Sequence, residues 1–310
     1  MSTSNVVTPP RLGPDWAALA SQIGQNIGPD AVSRRALDRH AMAHDASSYL
    51  LIPEMIVRPT SADQVAAVMG ACAASSAPIV FRSGGTSLSG QAVSDAVMVD
   101  TRRHFQGVEV LEEGKKVRVL PGSTVRQVNA RLAAYGRKLG PDPASEGACT
   151  LGGVIANNSS GMHCGTEFNT YSTLESMVVI LPTGTRVDTG DPGASAYLRA
   201  VEPALWEGLT RLHRRVNDDA ASVATITRLF SMKNTMGYGI NSFLDYSDPI
   251  DLLAHLMVGS EGTLGFVAEA VFSTVPVAPH VTTGLLIFDD IATATAAVPA
   301  LVATGTATAE

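Results

Sequence analysis

The chain has 310 residues, 45% hydrophobic and 16% charged, which suits one large or two ordinary folded domains and argues against a disordered chain. Lys and Arg number 22 against 29 Asp and Glu, a formal net charge of −7 with no long basic block, so nucleic acid is not expected as a partner. The cysteines Cys72, Cys149 and Cys164 are odd in number and form no C-x-x-C pair, which disfavours a disulfide framework, a zinc ribbon or an iron–sulfur cluster and fits a reducing, cytoplasmic compartment.

Met1 to Pro10 lacks a basic head and an apolar core, so it does not read as a signal peptide. The uncharged stretches Val65–Phe81 and Ile291–Ala309 lack the Leu/Ile/Phe density of a membrane span. Residues 1–46 read as an N-terminal extension with a helix around Trp16–Ile23. Met55–Arg58 reads as a strand ended by Pro59, and Ser61 with Gln64 as a capping box before an alanine-rich helix to Ser75. Ile79–Phe81 and Val97–Val99 are further strands, then Gly107–Leu111 and Lys116–Leu120. Ser123 is placed as the cap of a helix running to Tyr135, stopped by Gly136. A helix starts near Leu151. Met177–Leu181 and Thr185–Asp188 flank a hairpin turn at Pro182-Thr-Gly184. Helices fit Pro203–Val216 and Ile250–Met257, Gly265–Ser273 is a closing strand, and Thr282–Phe288 begins a new strand–helix unit. This mixture of hairpins and strand–helix alternation predicts an α+β fold.

Three glycine-rich segments carry the chemistry. Arg82-Ser-Gly-Gly-Thr-Ser-Leu-Ser-Gly-Gln91 follows a strand directly, and its glycines allow backbone N–H groups to converge on a phosphate or diphosphate. It has neither the G-x-G-x-x-G spacing nor a Gly-Lys-Ser/Thr ending. Gly140–Ser145 and Cys149–Gly161 place Gly152 and Gly153 at a helix start, where unpaired N–H groups favour an anion. Gly259-Ser-Glu-Gly-Thr-Leu-Gly-Phe-Val267 sets one carboxylate between a helix and a strand. Such loops, far apart in sequence, suit one large, extended, phosphate-bearing ligand.

In order and spacing these motifs, with Lys233-Asn-Thr-Met-Gly-Tyr238, resemble the PCMH-type FAD-binding domain of the vanillyl-alcohol oxidase superfamily, in its branch of FAD-linked D-2-hydroxyacid dehydrogenases. The resemblance covers roughly residues 50–278. It implies a two-lobed FAD domain over residues 47–278 with FAD between the lobes. Carried over by position, Ser83, Gly84, Gly85, Thr86, Ser87 and Leu88 would wrap the diphosphate. Pro143, Ala144, Ser145, Thr150, Gly152 and Gly153 would line the isoalloxazine and ribityl region, and Ala156, Asn157, Ser160 and Gly161 would continue that wall. Glu261, Gly262 and Val267 would face the ribityl or adenosine part. Some relatives attach the flavin through a histidine in the first loop; Thr86 and Ser87 stand there here, so FAD is expected to be non-covalent. Cys149 and Cys164 lie near the flavin wall and read as buried packing residues.

The resemblance also implies a reaction: hydride transfer from the Cα–H of a small 2-hydroxy acid to flavin N5, with reoxidation by an electron acceptor. A cap domain would follow near His280 and supply the base. Residues 279–310 read as its first strand–helix unit, so the chain is expected to be truncated within the cap. No general base is assigned. Among the histidines, His40 and His44 are spaced i, i+4 as on one helix face, His163 adjoins the second loop, and His213 sits among Arg211, Arg214 and Arg215; none makes a metal site. Lys233 and Asn234 reach toward the active site by analogy. Two functions remain open: an FAD-dependent oxidoreductase, or an FAD-binding module without turnover of its own, completed by a partner chain. A third, the FAD subunit of a molybdenum hydroxylase, is disfavoured by Gly259–Gly265.

Overall fold

The computed structural model describes residues 13–306; the segments read as Met1–Pro10 and as the chain end at Glu310 lie outside them. The first sheet is built from Val32–Ser33 (β1), Met55–Val57 (β2), Ile79–Arg82 (β3) and Val97–Asp100 (β4), in the order β1-β2-β4-β3. β2 and β3 both run parallel to the central β4, whose residues are buried throughout, as a strand covered on both faces requires. Helices Trp16–Ile27 and Ala62–Ala74 cover it, and Leu19, Ile23 and Ile27 pack with Val57, Val68, Val97 and Val99 in one core. From Trp16 onward the segment read as an extension is thus an integral layer of this lobe.

The second sheet contains Val108–Leu111 (β5), Lys116–Val119 (β6), Arg137–Leu139 (β7), Leu174–Ile180 (β8), Arg186–Asp188 (β9) and Phe266–Pro276 (β10). Its order is β5-β6-β10-β8-β9, with β7 also on β10, and all pairings are antiparallel. In β10 the residues Phe266, Ala268, Ala270, Phe272 and Thr274 are buried and alternate with more accessible ones, the period-two pattern of a central strand over a core. Val65 and Met69 of the first lobe's helix join Phe105, Val178, Ile180 and Phe266 in an apolar cluster, and this seam fixes the lobes against each other. The fold is α+β and two-lobed, as expected.

Local differences have physical causes. The Ser61 hydroxyl accepts from Gln64 N as expected, but Gln64 reaches back to Thr60 N at 2.8 Å rather than to Ser61. Thr124, not Ser123, caps the helix Val125–Leu132, because only Thr124 stands three residues before a glutamine; it and Gln127 form a full capping box. Ser123 is turned to Gly107, donating to its O at 3.0 Å and accepting from its N at 2.9 Å. Thr282–Phe288 is not a strand. No strand among the described residues lies beside it, so its backbone has no ladder to join, and Leu285 and Ile287 are both 87% exposed. The helix after it, Ile291–Ala303, does form. His40 lies in the helix Ala36–Ala41 but His44 follows its end, so the pair does not share a helix face.

Candidate functional site

A cavity of about 510 Å³ lies where the lobes meet, within the usual range for a cofactor pocket. Its walls are the predicted segments brought together. Ser83, Gly84, Gly85, Thr86, Ser87 and Leu88 line one side; Ser145, Thr150, Gly152, Gly153, Ala156 and Asn157 another; Glu261, Gly262 and Val267 a third. Pro143, Ala144, Ser160 and Gly161 are not on its wall. Asp142 and Gly161 bridge just beyond it, where His163 Nδ1 meets Asp142 Oδ2 at 2.5 Å and Lys233 Nζ donates to Gly161 O at 2.5 Å. Sequence reasoning missed Phe81, Gln91, Thr101, Pro121, Met257, Ser260 and Phe266, which also line the cavity. The Phe81 and Phe266 rings, centroids 4.9 Å apart, give it an apolar wall drawn from both sheets. Phe81 ends a predicted strand, and Phe266 lies in the third glycine-rich segment near the start of the predicted strand Gly265–Ser273.

Side-chain and backbone bonds lace the three segments together. Ser83 Oγ accepts from Gly153 N at 2.9 Å and also meets Thr150 Oγ1. A Cβ on Gly84 would sit 2.5 Å from Ala148 O and 2.9 Å from Cys149 Cα, so only glycine permits the two loops to approach so closely. Asn157 Nδ2 donates to Glu261 Oε1 at 2.8 Å, and Glu261 N donates to Ala156 O at 2.8 Å, with Glu261 itself held at φ 52°. Burial raises the Glu261 carboxyl above its ordinary value, partly offset by the Asn157 bond.

Free backbone donors concentrate in one place. Residues Gly84, Gly85, Thr86, Ser87 and Leu88 donate their N–H to no acceptor among the described residues, whereas Ser89 N and Gln91 N are taken by Ser87 Oγ. The helix start behaves otherwise. Leu151 N donates to Ser123 O, Gly152 N to Pro121 O and Gly153 N to Ser83 Oγ, each at 2.9 Å. The expectation that Gly152 and Gly153 expose unpaired N–H groups to an anion is therefore corrected: these glycines admit protein partners, and a Cβ on Gly152 would meet Pro121 at 2.8 Å. Among these glycine-rich segments, the run of unbonded N–H groups lies in the first loop.

Cys72, Cys149 and Cys164 are free and buried, and burial pushes each thiol up, Cys72 to about 11. Cys149 lines the cavity. No cluster of three or more potential metal ligands occurs among the described residues, and no described helix is long and apolar enough to cross a membrane.

The family model for an FAD binding domain matches residues 53–190, which contain the first two glycine-rich segments. Its cofactor is FAD. The chain is 28% identical over 244 residues to D-2-hydroxyglutarate dehydrogenase of Pseudomonas putida, an alignment covering 77% of this chain and 24% of that protein. It is 26% identical over 286 residues to glycolate oxidase subunit GlcD of Bacillus subtilis, covering 91% and 50%. The chain thus spans between a quarter and a half of these relatives. A solved structure of alkyldihydroxyacetonephosphate synthase superposes with a TM-score of 0.58 at 20% identity, over 90% of this chain and 44% of that one, a likeness of fold. Residues 53–190 match an FAD binding domain, and the relatives are named as a D-2-hydroxyglutarate dehydrogenase and a glycolate oxidase subunit.

Proposed function

We propose that this chain is the FAD-holding part of a cytoplasmic oxidoreductase that acts on a small 2-hydroxy acid. The reading is carried by one observation: Gly84 to Leu88, whose N–H groups are unbonded among the described residues, line a cavity also lined by Gly152, Gly153 and Glu261. In this reading Ser83 to Leu88 hold the diphosphate. Thr150, Gly152, Gly153, Ala156 and Asn157 line the flavin side, and Glu261, Gly262 and Val267 line the ribityl or adenosine side. Pro143, Ala144, Ser160 and Gly161, just outside the cavity, would meet the flavin's outer edge. When bound, FAD supplies a hydride acceptor at N5 for the substrate Cα–H. The chain's residues bind and orient it, and the Phe81–Phe266 pair offers it an apolar surface.

The buried cysteines fit both a reducing compartment and non-covalent attachment. The names of the relatives support a 2-hydroxy acid as substrate. The FAD unit is taken to span residues 47–278 together with the helix Trp16–Ile27 packed on it, and residues 279–310 to open a cap domain.

The purified chain, reconstituted with FAD, should show the two visible bands of an oxidised flavin. Bleaching by D-lactate, glycolate or D-2-hydroxyglutarate supports turnover by this chain. Flavin bands that none of them bleaches favour the alternative, an FAD-binding module completed by further residues or a partner chain, which the relatives' greater length also supports. A colourless chain that cannot be reconstituted overturns both.

A further inference from the structure

Arg82 closes β3 directly below the first loop and is 6% exposed. Its Nη1 donates to Ala92 O at 2.9 Å and its Nη2 to His44 O at 2.6 Å, while Nε is buried with no partner. These acceptors are neutral carbonyls. The carboxylates near enough to act on it are Asp45 and Asp100, and the neighbouring cation is Arg102. Asp100 is taken by Arg102, whose Nε lies 3.0 Å from Oδ1 and whose Nη2 lies 3.1 Å from Oδ2. Asp45 accepts from Ser47 N at 2.8 Å and Ser47 Oγ at 2.5 Å, and from Ala92 N at 3.4 Å. Arg82 itself forms no salt bridge among the described residues. A guanidinium stays charged, and a buried charge without an ion pair is costly unless something compensates it.

The loop above supplies the place for a compensating charge. Gly85 lies flat against the guanidinium at φ 72°, and a Cβ there would run into it. Gly85 belongs to the run Gly84 to Leu88 whose N–H groups have no acceptor among the described residues. We propose that Arg82 is a positioning residue for the diphosphate of the dinucleotide, acting through Gly85 without touching the ligand: it holds the loop open by its bonds to Ala92 O and His44 O and places a positive charge that no direct ion pair meets behind the anion seat. The proposal rests on the FAD reading and adds to it a role for Arg82, which that reading leaves unassigned.

The test compares FAD, ADP and riboflavin binding to the wild-type chain and to Arg82→Met and Arg82→Lys, by flavin fluorescence quenching and calorimetry. Arg82→Met is expected to weaken FAD and ADP alike by about tenfold or more and to leave riboflavin, which carries no phosphate, within about twofold. Arg82→Lys, which keeps the charge, should retain FAD affinity within about threefold. Equal losses for FAD and riboflavin, or an unchanged FAD affinity in Arg82→Met, overturn the proposal. If Arg82→Met does not fold, Arg82→Lys decides, and a loss of FAD affinity of about tenfold in it overturns the charge role. A wild-type chain that binds ADP but not FAD sinks the FAD reading and leaves the Arg82 comparison to be read with ADP; one that binds neither overturns both.

Discussion

Gly153 N donates to Ser83 Oγ at 2.9 Å, joining two glycine-rich segments 70 residues apart in sequence. This bond, with the neighbouring Ser83–Thr150 contact, uses a donor that a helix start would otherwise leave open, so a residue of the first glycine-rich loop doubles as the cap of the opposite wall. Replacing Ser83 by Ala orphans Gly153 N. It should cost about 1–2 kcal/mol in denaturant unfolding and weaken FAD binding as the two walls separate.

Gly84→Ala places a methyl against Ala148 O and Cys149 Cα, backbone atoms that cannot turn aside. A loss of about 1–3 kcal/mol is expected, with FAD binding reduced far more than by Ala at the exposed Leu88. Equal FAD affinity in Gly84→Ala and wild type would show that the close approach is not needed.

Glu261 and His255 should give stability opposite dependences on pH. The Glu261 carboxyl is raised by burial from 4.5, so the folded chain holds its proton more tightly than the unfolded one. Stability from this group therefore falls as pH rises from about 4.5 into the raised range. Glu261→Gln keeps an acceptor for Asn157 and removes that slope, so it should match or exceed wild-type stability at neutral pH, the difference vanishing in acid.

His255 is buried, donates from Nδ1 to Asp251 O at 2.9 Å and accepts from Tyr246 Oη at Nε2, 2.8 Å away. Burial lowers it from 6.5, so the unfolded chain binds the proton more readily. Its contribution is present above pH 6.5 and is lost as pH falls through the lowered value. His255→Gln should flatten acid unfolding below pH 6.5, measured as chemical denaturation midpoints across pH.

The raised thiols predict slow alkylation of Cys72, Cys149 and Cys164 in the native chain and rapid alkylation once it unfolds, read by mass spectrometry. Acid precipitation of the reconstituted protein should release all its flavin to the supernatant. Flavin retained on a peptide containing Cys149 would contradict non-covalent attachment.

How far the sequence could be read follows from where each signal resides. The strands Met55–Val57 and Val97–Asp100 and the helix Ala62–Ala74 were legible because their hydrophobic runs and caps are local. The helices Ala194–Val201 and Ala220–Phe230 were not, since only Leu198 with Ala194, and Ile226, face the core and leave little periodic pattern. The glycine-rich segments were recognisable as a set, and most of their predicted residues do meet at one cavity. Which N–H groups are free was not legible: the answer for Leu151, Gly152 and Gly153 depends on Ser123, Pro121 and Ser83, which only folding brings near. The misplacement of Thr282–Phe288 has the same origin, because a strand's existence depends on a neighbour that its own residues do not encode.

The Asn157–Glu261 bond spans 104 residues and closes the last wall of the cavity. A chain emerging vectorially from its N-terminus completes the first sheet early, yet has no enclosed site until Glu261 and Phe266 have been synthesised and docked. Capture of the dinucleotide is therefore expected only after Glu261 and Phe266 have been synthesised. Its effect is to lock a finished seam between lobes rather than to nucleate either of them, so cofactor starvation should leave molecules with intact sheets and a loose junction.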